Sequence, residues 1–344
     1  MTAISVLDLV PVRSDQTTAD AVAATLALAR VADEVGARRY WVAEHHNMPA
    51  VAATNAPLLM SLVAAATSRV RVGSGGVMLP NHSPLVVAEQ VALLEAAFPG
   101  RVDVGIGRAP GSDPVTSHLL RRGSTGDGVD TFDADVAALA ALVRPEGVQV
   151  RVGSSTYPLR ATPRAVSAPQ LWLLGSSSYS AQLAGRLGLP YVFAHHFAGR
   201  GTDEAVALYR ETFVPSETLA EPRTIAVANV AVAPTAREAH RLALPQVRTM
   251  WRLRSGTTLE PQELVEDAEE APLPASADDA LAALTSSWIV GDPAQAAEQV
   301  RELARRLGTD EIMVQPVAGA TRGTPADRAP AREQTLRLLA DALA

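Results

Sequence analysis

The stretch Val70-Arg71-Val72-Gly73-Ser74-Gly75-Gly76-Val77-Met78-Leu79-Pro80-Asn81-His82-Ser83-Pro84, running on through Val87, Val91, Leu94 and Phe98 to Pro99-Gly100-Arg101-Val102-Asp103-Val104-Gly105, decides the fold. Val70–Ser74 is a short apolar, β-branched run, the pattern of a buried strand. Ser83 stands where a helix N-cap belongs and Pro84 at the first helical position; Val87, Val91, Leu94 and Phe98 then share one face until Pro99-Gly100 stops the helix. Val102–Gly105 is the next strand. Strand, helix and strand within roughly 35 residues make one βαβ unit with parallel strands.

The same rhythm extends in both directions. Upstream, Ile4–Leu9 and Tyr40–Glu44 are runs of the same kind. The helix between them carries Ala21, Ala24, Leu28, Val31 and Val35 on one face, with Thr17 and Asp20 spaced as a capping box and Gly36 as the stop. Downstream, Gly111 to Gly128 is rich in Gly, Ser, Asp and Thr; a helix follows from about Asp130 to Val143, and Val148–Leu159 reads as a small hairpin. Leu171–Leu174, Tyr191–Ala194 and Ile225–Val232 then resume the strand pattern. Asp292-Pro293 starts a helix with Ala296, Val300, Leu303 and Leu307 on one face and Gly308 at its C-terminal stop. Glu311–Val317 is the last strand, and the closing helix runs from Arg332 to about Leu343. Ser255–Ala275, with Pro261, Pro272, Pro274 and the acidic Glu263 to Glu270, lacks apolar periodicity, which in a barrel marks a mobile lid over the mouth or a disordered loop.

Eight such strands alternating with helices favour a (β/α)8 TIM barrel over an open sheet. The doubly wound alternative also lacks its phosphate fingerprint, because Pro110 occupies the third glycine's place in Gly105-Ile106-Gly107-Arg108-Ala109-Pro110. The expectation is one α/β domain over 1–344, with insertions near 111–128, 145–160 and 255–275.

Composition narrows the chemistry. The 344 residues are 47% hydrophobic and 19% charged, as in ordinary folded proteins. With 30 cationic against 37 acidic residues the formal net charge is −7, so nucleic acid is not an expected partner. All 30 cations are arginines, and no lysine exists to form a Schiff base or serve a P-loop. No cysteine is present, which removes thiolate catalysis, disulfides and cysteine-ligated metals. Redox work therefore needs a borrowed cofactor. The N-terminus lacks a signal-peptide pattern and no apolar run reaches membrane-spanning length, so the cytoplasm is expected and no membrane.

Barrel chemistry gathers where strands end. Asp8, Glu44-His45-His46-Asn47, Gly73-Ser74-Gly75-Gly76, Gly107-Arg108, Gly175-Ser176-Ser177-Ser178 and His195-His196 all fall there, with His82 in the third loop. Strand alternation lets only some of Glu44, His45 and His46 face the mouth. The serine run is either a helix cap or, with the free N–H groups of a helix start, a phosphate cradle. Arg108 suits a surface ion pair or a phosphate equally. Gly75-Gly76 is a plain loop or a place where a flat ligand approaches the backbone. A rival reading has Asp8, His45 and His195 or His196 converging on zinc in a metallohydrolase. Against it stand the missing His-x-His on the first strand and the lack of a carbamylatable lysine.

Tyr40–Asn47, Val72–Pro84, Pro99–Gly111, Leu174–Ser178 and Gly291-Asp292-Pro293, in this order and spacing, resemble the bacterial-luciferase-like flavin monooxygenases. The resemblance implies a barrel that takes reduced FMN from a separate NAD(P)H:flavin reductase and, through a flavin C4a-peroxide formed with O₂, oxygenates a small organic substrate. Carried over by position, Arg108 and the hydroxyls of Ser177 and Ser180 match residues that hold the FMN phosphate, with Ser176 in the same cradle. Gly75-Gly76 matches a pair joined by a non-prolyl cis peptide under the flavin ring. His45 matches a histidine assigned to acid–base work, and Glu44 sits beside it in the flavin site, a neighbouring carboxylate that would orient the imidazole. No metal is implied, and a homodimer is expected. Gly107 and Ser176 replace a cysteine and a glutamate of the luciferases, so light emission and aldehyde preference do not carry over. Related barrels use a reduced deazaflavin as hydride donor, which is the alternative cofactor.

Overall fold

The computed structural model describes residues 2–121, 130–144, 146–198, 200–271, 273 and 278–344. In chain order the strands are β1 (Ala3–Asp8), β2 (Arg39–Val42), β3 (Arg71–Met78), β4 (Val102–Gly107), β5 (Val148–Val152), β6 (Ser155–Leu159), β7 (Gln170–Gly175), β8 (Tyr191–Phe193), β9 (Thr224–Val232), β10 (Ile289–Gly291) and β11 (Glu311–Pro316). Parallel pairing runs β1-β2-β3-β4-β7-β8-β9-β11, and β11 pairs back onto β1, so these eight strands close a barrel with helices outside. The (β/α)8 expectation holds, each of its eight strands lying within a few residues of its expected place.

Local signals act as the sequence suggests at several ends. Thr17 and Asp20 form a reciprocal capping box on the helix Thr18–Glu34, as do Asp292 and Gln295 on Pro293–Leu307, which Gly308 closes in the left-handed region at φ 56°. Ser83 differs: it occupies the N-cap of Pro84–Ala97, yet its side chain makes no capping bond. Proline at the first helical turn already removes one unsatisfied N–H and presets φ there.

The expected insertions resolve into ordered pieces. Pro114–Leu120 is a helix, while 122–129 lie outside the described residues. β5 and β6 form the expected antiparallel hairpin, apart from the barrel, with residue 145 outside the description. The third segment corrects the expectation of an unstructured lid. Val265–Glu270 is helical with Val265 and Ala268 buried, and its acids meet arginines: Glu263 pairs with Arg248 and Arg252, Glu266 and Glu269 with Arg241, and Asp267 and Glu270 with Arg322. Charge pairing orders a segment whose apolar pattern alone is too short to read. Residues 272, 274 and 275 of that segment lie outside the description. A short strand missed by the sequence reading, β10, pairs with the C-terminal end of β9, beyond the residues that pair with β8.

The barrel interior is layered, because inward positions recur every second residue. At the bottom, Arg39, Asp103 and Glu311 are buried together, with Arg71, Arg223 and Ser5 bonded to the two carboxylates. Above them Leu7, Trp41, Trp172, Val192, Ile225, Val227 and Met313 form an apolar plug, its two indoles edge to face at 5.6 Å. Gly73 is required here: a Cβ at that position would lie 2.5 Å from the Trp41 indole nitrogen and 2.8 Å from Asp103. Above the plug the barrel opens. Among the described residues, no helix is long and apolar enough to cross a membrane.

Candidate active site

A cavity of about 550 Å³ occupies the C-terminal mouth of the barrel. That is the size of a pocket for a small molecule or cofactor. Leu7, Trp41 and Met313 floor it, and Leu259 and Gln262, from the segment after the helix Ala236–Arg254, reach over it.

One wall carries Gly75, Gly76, Arg108, Ser176, Ser177 and Ser180, all of which line the cavity. The Gly75–Gly76 peptide bond is cis, as the resemblance implies. Ser177 is the N-cap of Ser178–Leu187, but its side chain makes no capping bond, and Ser176 and Ser177 are exposed. Their hydroxyls and the free N–H groups of that first turn are thus available to an anion. Ser180 plays a different part: it is buried and donates its hydroxyl to the Ser177 carbonyl oxygen at 2.9 Å, which fixes the turn. The Arg108 guanidinium lies 3.9 Å from the centre of the Tyr179 ring, and among the described residues no carboxylate pairs with it. A half-buried cation without a counterion, next to two free hydroxyls and a helix start, fits a phosphate.

Glu44 and His45 part company. His45 lines the cavity, and its Nδ1 is buried without a partner. Burial lowers its pKa, Glu44 opposes that shift and His46 adds to it, so the ring is neutral near pH 7. Glu44 turns away from the cavity. Its Oε1 accepts from His46 Nε2 at 2.9 Å and His82 Nε2 at 2.7 Å, while its Oε2 accepts from the Met78 N–H at 3.2 Å. Burial would raise the Glu44 carboxyl, but these bonds, led by that from His82, bring it below the usual carboxylate range. The expectation that Glu44 orients His45 is therefore corrected. Both residues lie in the loop just past the end of β2, and there Glu44 ties that loop to the end of β3 and to His82.

The rival zinc trio does not assemble. Asp8 is buried and accepts from the Val10 N–H, Thr25, Tyr40 and Arg332; burial would raise its pKa, but Arg332 and the bonds lower it. His195 Nδ1 is bonded to Thr202 Oγ1 at 2.7 Å, behind the wall. Among the described residues, the cluster with ligand-like spacing is instead Glu44, His46 and His82, whose ligand atoms lie within 4.8 Å of one another and are already hydrogen-bonded together.

Of the pair His195-His196 it is His196 that lines the cavity, and burial, reinforced by His195 and His45, pushes its pKa down to about 3, so it is uncharged. Two cavity residues escaped the sequence reading: Asn229 and Gln315 also line it and are buried. The signal was present: each is the polar residue at the inward period of an otherwise apolar strand, after Ile225 and Val227 on β9 and after Met313 on β11.

The sequence model of the luciferase-like monooxygenases matches residues 2–311. The chain belongs to that family. A luciferase-like monooxygenase of Escherichia coli (strain K12) is 40% identical over 312 residues, covering 91% of this chain and 90% of its own. The crystal structure of apo-MsnO8 superposes with a TM-score of 0.87 at 32% identity, covering 99% of this chain and 98% of that one. The oxygenating constituent of 3,6-diketocamphane monooxygenase from Pseudomonas putida, a type II Baeyer–Villiger monooxygenase solved with FMN, shares the fold at a TM-score of 0.73 and 19% identity, over 100% and 98% of the chains. The monooxygenase described here thus keeps a family barrel whose cavity wall is built from the residues singled out in the sequence, with Glu44 behind it.

Proposed function

We propose that this monooxygenase binds reduced FMN, delivered by a separate NAD(P)H:flavin reductase, and uses it with O₂ to oxygenate a small organic substrate. The observation that carries the reading is Arg108 on the cavity wall without a carboxylate partner among the described residues, beside the free hydroxyls of Ser176 and Ser177 at a helix start. When bound, reduced FMN supplies the electrons that activate O₂. The chain's own residues do the rest. Arg108, Ser176 and Ser177 hold the phosphate, and Ser180 keeps the Ser177 turn in place. Gly75 and Gly76 leave the wall flat for the ring. The Trp41 and Leu7 layer seals the barrel below and excludes water. The neutral His45 imidazole faces the cavity and takes up or returns a proton.

Replacing Arg108 by alanine should weaken FMN binding by about 10- to 150-fold, the span of one charge-assisted hydrogen bond, and leave riboflavin binding unchanged. Fluorescence titration of both flavins checks this. Equal losses for the two would remove Arg108 from the phosphate site, and tight binding of reduced deazaflavin with no binding of FMN would favour the hydride-transfer alternative.

We also propose a homodimer. Leu58 and Leu62 on the helix Ala56–Ala66, and Val86 and Leu93 on the neighbouring Pro84–Ala97, expose 65%, 45%, 49% and 59% of their surface. Large apolar side chains grouped on adjacent helices mark an interaction face. Sedimentation should show a dimer for the wild type and a monomer for the double substitution Leu58→Glu and Leu93→Glu. A monomeric wild type contradicts the proposal.

A further inference from the structure

Gln315 and Asn229 are register partners on the adjacent strands β11 and β9. One step below them on the same ladder sit Met313 and Val227, so the two amides cap an apolar layer at the level of the cavity. The Asn229 Nδ2 donates to the His196 carbonyl oxygen at 3.0 Å, which fixes the orientation of that amide, and its Oδ1 has no donor. The Gln315 side chain makes no hydrogen bond with any described residue, and its Oε1 is buried. Asn229 is 1% exposed and Gln315 6%.

A buried carbonyl oxygen without a donor is destabilising, and a ligand donor relieves that cost. The fold carries two such oxygens side by side. Going round the barrel, β9 lies four strands from β3 and β11 four strands from β4, so the amide pair sits on the wall across from Gly75-Gly76 and Arg108. Among the described residues that line the cavity, Arg332 is committed to Asp8 and His196 is neutral, so neither offers the pair a free charge.

We infer that Asn229 and Gln315 are a substrate-recognition pair that takes an uncharged small molecule through its N–H or O–H donor, such as a carboxamide or an alcohol. A substrate lacking a donor, such as a simple ketone or a thioether, leaves both oxygens unpaired and is discriminated against. The inference rests on the flavin reading only in assigning the opposite wall to the cofactor.

The test uses two probes of equal shape, hexanamide and 2-heptanone, in which an amide NH₂ replaces a methyl group. Their dissociation constants are read from tryptophan fluorescence, since Trp41 lines the cavity. Gln315→Met should lower the amide-over-ketone preference about tenfold while FMN affinity stays within about threefold. Asn229→Leu should act in the same direction, but it also frees the His196 carbonyl, so Gln315→Met, which severs no bond of the fold, carries the result. An unchanged preference in Gln315→Met overturns the inference. So does the absence of saturable binding by either probe, and so does an equal tenfold loss of FMN affinity, which would put the pair on the cofactor. A wild type that binds no FMN, with the preference still falling in Gln315→Met, would refute the flavin reading and leave the recognition pair standing.

Discussion

Asp103→Ala should destabilise the barrel by about 3–5 kcal/mol, the usual cost of breaking a buried ion pair by removing one partner. Asp103 is fully buried, and its two oxygens take Arg39 Nη1 at 2.5 Å, Arg71 Nη2 at 2.6 Å and the Trp41 indole N–H at 3.1 Å. Without the carboxylate, Arg39 keeps only half of its ion pairing, through Glu311 at 2.8 Å, and lies 4.6 Å from the Trp172 ring centre with nothing else to neutralise it. Trp41 also loses its anchor, and Trp41 floors the cavity. Urea unfolding of the two proteins measures the difference. A loss below about 1 kcal/mol would mean that water enters the barrel bottom and compensates the charges.

His45→Ala should lower turnover by about 10²–10⁴, the usual contribution of a general acid–base, while FMN affinity stays within about tenfold. The imidazole lines the cavity and is bonded to no carboxylate, since Glu44 serves His46 and His82. Burial lowers its pKa, so the neutral form persists to more acid pH than for a free imidazole. The acid limb of kcat should therefore fall below the usual value of about 6.5 and vanish in the variant. His46→Ala should leave the limb in place, because His46 faces Glu44. Identical kinetics for the two substitutions, or a His45→Ala protein that no longer binds FMN, would make His45 a structural or cofactor residue.

The barrel was legible because each of its strands is mostly buried and is separated from the next by a helix. Tyr191–Phe193, only three residues long, still stands out between Gly188 and the histidines. The Arg108 and serine wall was legible only as polar residues at strand ends, with an ion pair and a helix cap equally open; the cavity they share appears only in the fold. What the sequence hid depends on partners far along the chain. Glu44 and His45 are adjacent letters, and only the fold shows that the carboxylate reaches His82 and not its neighbour. The helix Val265–Glu270 is held by Arg241 and Arg322, and Glu263 just before it by Arg248 and Arg252, none of which lies within that segment. Asn229 and Gln315 stand 86 positions apart, and their pairing exists only because β9 and β11 are neighbours.

Anaerobic titration with reduced FMN and, separately, with reduced riboflavin isolates the contribution of the phosphate. Reduced FMN should bind saturably at one equivalent per chain, at least tenfold tighter than reduced riboflavin, because the phosphate gains Arg108 and the serine turn. Reduced FMN that fails to bind, or that binds no better than reduced riboflavin, would contradict that expectation.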